Sequence, residues 1–146
     1  MIGRLNLFKL ASLASSLVFL CLFLQLLFTP APFVRDLGLS PTETTSILGR
    51  RVSMFMLGIA VLSFVSRNLP HSSARQGICA STGTTLLGVA SMSAYELYRG
   101  TVNSSMWFAL TIESTLGLCF WAVFFLKPAP STMVSNAALQ YDGQSR

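Results

Sequence analysis

Charge is scarce in this chain of 146 residues: only 10% of them are Asp, Glu, Lys or Arg, against roughly 25% in an ordinary soluble domain. The one histidine, His71, stands beside Pro70 with no second ligand near it in sequence, which leaves neither a metal constellation nor an axial-ligand pair. Cys21, Cys79 and Cys119 each lie inside an apolar block and form no C-x-x-C pair. A quinone-coupled thiol oxidoreductase would need such a pair, so the three read as small buried hydrophobes. No nucleophile with an adjacent base and no phosphate-binding loop can be picked out. These absences predict a non-enzymatic protein without catalytic residues, metal or cofactor.

Long apolar runs are what the chain has instead. Hydrophobic residues make up 52% of it, the mean hydropathy is +0.62, and the apolar residues come in blocks, not in amphipathic stripes, so the expected partner is the lipid bilayer. The fold class expected is all-α, an integral membrane four-helix bundle over residues 1–127, with spans at about 10–29, 48–67, 76–97 and 102–126 and a polar, disordered tail over 128–146. The first block follows Arg4 and Lys9 and exceeds the 7 to 15 residues of a signal-peptide core, so it reads as a retained helix. Pro30 and Pro32 in "TPAPF" end it by removing backbone donors. In "LSPTETTSILGRR", Ser40 reads as the cap of the second helix, Pro41 as its first helical residue and Glu43 as the capping-box acid.

The net charge of +5 could mark a nucleic-acid surface in a soluble protein. Here the basic residues sit at the ends of the apolar blocks, which points to orientation in the membrane and to anionic headgroups, with no nucleic acid involved. Arg4, Lys9, Arg67, Arg75, Lys127 and Arg146 fall on one side of four spans, and Arg35, Arg50, Arg51 and Arg99 on the other. The bias predicts that both termini are cytoplasmic.

Glu113, in "FALTIESTLGLCF", is an ionisable group at bilayer depth and therefore needs a partner. The second and fourth spans run in the same direction. Arg51 lies 16 residues before Arg67 and Glu113 lies 14 before Lys127, about 24 and 21 Å at the helical rise. Equal depth makes Arg50 or Arg51 the candidate partner of Glu113. Such a pair has three readings: an ion pair that fixes packing, a ligand or headgroup site, or a proton-exchanging carboxylate. In the third span, Ala80, Thr84 and Gly88 recur every four residues and predict the face on which the bundle packs most closely.

The four-span plan, "LGRRVSMFMLGIAVLSF" and "ALTIESTLGLCFWAVFF" resemble a group of small bacterial four-helix membrane proteins of unknown function, DoxX-like in plan. The likeness covers about residues 10–126 and maps its basic residue onto Arg50 or Arg51 and its Glu onto Glu113. It implies a bacterial cytoplasmic membrane location and no particular reaction. Small multidrug transporters also have four helices and one embedded Glu, but place it in their first helix, where this chain offers only Gln25. The function expected is an accessory subunit or membrane factor with other membrane subunits as partners. The alternative is a small transporter or lipid- or anion-binding protein using Arg50, Arg51 and Glu113.

Overall fold

The computed structural model describes residues 2–125, with side chains described from residue 7 onward. The polar tail expected over 128–146 lies outside the described residues. Five helices follow one another: α1 (Ile2–Phe28), α2 (Pro30–Asp36), α3 (Glu43–Ser66), α4 (Ser73–Arg99) and α5 (Met106–Phe125). There are no strands among the described residues.

Three of the helices are long and apolar enough to cross a membrane: Leu7–Phe28, Glu43–Ser66 and Met106–Phe125. The 27 residues of α4 would reach about 40 Å, so length is not what sets it apart. Its Ser, Thr and Gly content keeps it below the apolarity of the other three. Outward-facing Leu17, Phe28, Phe55, Val65, Phe108 and Phe125 leave large apolar side chains exposed on all three apolar helices. A soluble protein seldom shows so much apolar surface in one connected body.

Two boundaries differ from expectation. Pro30 and Pro32 do not hold the chain extended: only Thr29 leaves the helical region (φ −132°, ψ 54°), and α2 begins at Pro30. A proline in the first turn of a helix gives up an amide that has no intrahelical acceptor anyway, so the same residues that stop α1 start α2. The cap of α3 is Thr42 and not Ser40. Its hydroxyl accepts the Thr45 amide at 3.1 Å while the Thr45 hydroxyl accepts the Thr42 amide at 2.8 Å. Ser40 and Pro41 precede the helix, and Glu43 opens it with an acid at the positive end of its dipole.

The helices pack as two close pairs, α1 with α3 and α4 with α5, joined where α1 meets α5. Small residues permit the first contact: Ala11, Ser12 and Ser15 on α1 and Ser53, Ala60 and Ser63 on α3 are all buried, so the two backbones approach closely. In the second pair Gly83 lies against Trp121 and Gly117 against Leu86 and Leu87. Phe8, Cys79 and Phe120 are the largest fully buried apolar side chains and tie the pairs together.

At the far end of the bundle, opposite the start of α1, two loops interlock. The Asn103 amide donates to the Leu37 carbonyl at 2.9 Å, and the Asn103 side-chain amide to the Asp36 carbonyl at 2.7 Å. Gly100, in the left-handed region at φ 68°, ends α4 just before this junction. The turn occupies 101–105, so the last helix begins four residues later than the expected span.

Candidate functional site

Glu113 sits in the second turn of α5, half-buried, and its partner is a hydroxyl. Ser93 on α4, itself buried, donates from Oγ to Glu113 Oε2 at 3.1 Å. No Lys or Arg nitrogen approaches a carboxylate oxygen within 4.0 Å among the described residues, so Glu113 makes no ion pair with Arg50 or Arg51. Both arginines are exposed.

The reason is angular. The residue spacing matches depth along the helices, but α3 packs on α1 while α5 packs on α4 and α1. Equal depth on two helices that do not face each other brings no side chains together. The seven-residue spacing to Ser93 from Leu86, and the three-residue step from Ala90, both buried, put that hydroxyl on the inner face of α4, where the α5 carboxylate reaches it.

The expected packing face of α4 is also displaced. Ala80 is half-buried, but Thr84 and Gly88 are exposed, and a Cβ on Gly88 would meet nothing within 4 Å. The buried face is Arg75, Cys79, Thr82, Gly83, Leu86, Ala90 and Ser93, which mixes steps of three and four around the adjacent pair Thr82 and Gly83. A strict step of four turns about 40° past a full circle each time. Two such steps carry the row from the edge of the interface at Ala80 to the outside at Gly88.

Arg75 is the residue that sequence reasoning missed. Placed by its neighbours in a connecting loop, it lies instead in the first turn of α4 and is only 5% exposed. Its guanidinium carbon stands 4.2 Å from the centre of the Phe8 ring on α1. The available signal was the spacing itself, since Arg75, Cys79, Thr82, Leu86 and Ser93 share one side of a helix.

Three cysteines are free, and the described residues contain no group of three His, Cys, Asp or Glu able to hold a metal. Lys9, Arg67 and Arg75 lie at the near end, where α1 starts, while Asp36, Glu43 and Glu96 lie at the far end together with Arg35 and Arg99. No family model, curated protein or solved structure matches this chain.

Proposed function

We propose that this chain is a small, non-enzymatic integral membrane protein, a bundle of four spanning helices that works as an accessory subunit or membrane factor beside other membrane proteins. The observation that carries the reading is the outer face of α4. Gly77, Ser81, Thr84, Gly88 and Ser91 are all exposed along one stripe, and Ser81 and Ser91 return their hydroxyls to the backbone carbonyls of Ile78 and Leu87. Lipid tails gain little from such a surface, whereas a helix of a partner subunit can approach it closely. α4 is then the fourth span, shielded by its own chain on one side and by a partner on the other. The basic near end, with Lys9, Arg67 and Arg75, supports a cytoplasmic N-terminus under the positive-inside rule.

The DoxX-like plan belongs to this same proposal, as a likeness of architecture. A second reading, a small transporter or lipid- or anion-binding protein, draws on Glu113: a half-buried carboxylate held by Ser93, with no ion pair among the described residues, is open to ligand or proton. Purification in a mild detergent, followed by mass analysis of what remains bound, separates the two. Stoichiometric membrane partners are expected. A chain that purifies alone, carrying only a bound small molecule, would overturn the subunit reading.

A further inference from the structure

We propose that Arg75 is the centre of an anion site at the near end of the bundle, completed by Ser12 and Ser15 and taking a phosphate-bearing group. Its lipid arm rests on the membrane reading above, and its free-phosphate arm does not.

Arginine cannot shed its charge by deprotonation, so a buried guanidinium must be paired or hydrated. Arg75 is 95% buried by its 5% exposure, and its Nε has no partner among the described residues. Within the chain no described acid can reach it. Glu96 is 21 residues further along the same helix, about 30 Å away, Asp36 and Glu43 are at that same far end, and Glu113 bonds Ser93 there. The nearest charges by position, Lys9 and Arg67, are of the same sign.

Ser12 and Ser15 supply the independent observation. Both are 0% exposed and both hydroxyls lack a partner. Ser53, Ser66, Ser81, Ser91 and Thr111 return their hydroxyls to their own helix, and Ser93 donates to Glu113. Ser12 and Ser15 do neither, and they follow Phe8 at intervals of four and seven residues, on the face that carries the ring beneath Arg75. The guanidinium lies over the Phe8 ring and beside the Cys79 thiol, and the Nε on its edge has no partner among the described residues. That edge offers two parallel N–H donors, the geometry that phosphate oxygens accept. The N-terminus of α4, where Ser72 caps the Arg75 amide at 3.3 Å, adds a positive dipole end.

Phosphate oxygens of this kind come from a phospholipid headgroup or from free phosphate. The test uses the full-length protein in a maltoside detergent, which carries no phosphate, with thermal unfolding and native mass spectrometry as readouts. Phosphatidylglycerol and inorganic phosphate are titrated separately. Stabilisation by phosphatidylglycerol at concentrations where inorganic phosphate has no effect identifies a headgroup, and stabilisation by inorganic phosphate identifies a free anion. Either effect should weaken about tenfold or more in Arg75→Lys, which keeps the charge and loses the fork. It should also weaken in the Ser12→Ala/Ser15→Ala double variant and vanish in Arg75→Leu. Should Arg75→Leu fail to fold, the wild type, the lysine variant and the serine variant still decide. Three results overturn the proposal: no response of the wild type to either probe, undiminished binding in Arg75→Lys and the serine variant together, or Asp142→Asn creating a response absent from the wild type, which would make the chain's own carboxylate the counter-ion.

Discussion

Placing a methyl group on Gly83 tests the α4–α5 contact at its tightest point. A Cβ there would stand 2.9 Å from Trp121 Cδ1, 3.2 Å from Trp121 Nε1 and 3.3 Å from the Gly117 carbonyl oxygen, where ordinary contact begins at 3.4 Å. The indole is bracketed by Phe124 and Phe125, whose rings lie 5.1 and 5.2 Å from it, so it cannot swing away without breaking both contacts. Overpacking of this kind costs about 1–3 kcal/mol. Alanine also gains up to about 1 kcal/mol over glycine in a helix interior, which would mask part of the loss. Gly88→Ala on the same helix carries that same gain and meets nothing within 4 Å. The difference between the two variants therefore isolates the contact, and Gly83→Ala should be the less stable by about 1–3 kcal/mol. Unfolding of both in mixed detergent micelles, followed by circular dichroism, measures it. Equal stability, or a more stable Gly83→Ala, would refute the close approach of α4 and α5.

Further outcomes follow from the other contacts. A double-mutant cycle between Ser93→Ala and Glu113→Ala should show a coupling of about 0.5–1.5 kcal/mol, whereas Glu113 with Arg50 or Arg51 should be additive to within about 0.3–0.5 kcal/mol; the opposite pattern in micelle unfolding would restore the arginine pair. Thr42→Ala should cost about 1 kcal/mol by removing the cap of α3, and Ser40→Ala less than half as much, read by the same unfolding assay. In a background without the native cysteines, a cysteine at Ser73 should react with a membrane-impermeant maleimide only after the cell is opened, and one at Thr42 in intact cells; the reverse would place the N-terminus outside.

The parts of this fold that could be read ahead are those that depend on position along the chain. Four long helices follow from four apolar or small-residue blocks, and the depth of Glu113 follows from counting residues to the end of its helix. What could not be read is rotation about each helix axis and the choice of neighbour. Arg51 and Glu113 were matched in depth to within a turn, yet α3 pairs with α1, a choice made by Ala11, Ser12, Ser15, Ala60 and Ser63, which are small but not arranged in a glycine motif. The Ala80, Thr84 and Gly88 row failed for the same reason, because a four-residue repeat is a good sign of small residues and a poor guide to the side they occupy. Pro30 shows a third limit: the backbone rule that ends one helix also opens another, and only packing against Gly49, whose added Cβ would lie 3.4 Å from the Pro30 ring, selects between them.

α4 carries most of what distinguishes this bundle, and its composition follows from being used on two sides. Its inner face must hold the cation of Arg75 at one end and the hydroxyl that bonds Glu113 at the other, with Gly83 and Leu86 between them closing on α5. Polar residues at both ends and a glycine in the middle are each unfavourable for a helix that faces lipid. Its outer face, from Gly77 to Ser91, is small and hydroxyl-bearing, which is unfavourable for lipid as well. Val89, Met92 and Tyr95 are exposed beside that stripe, so in the four-span arrangement proposed above the small stripe is the part of α4 that packs better against protein than against lipid. The low apolarity that separates α4 from the other three long helices is thus the feature on which the proposed subunit partner rests.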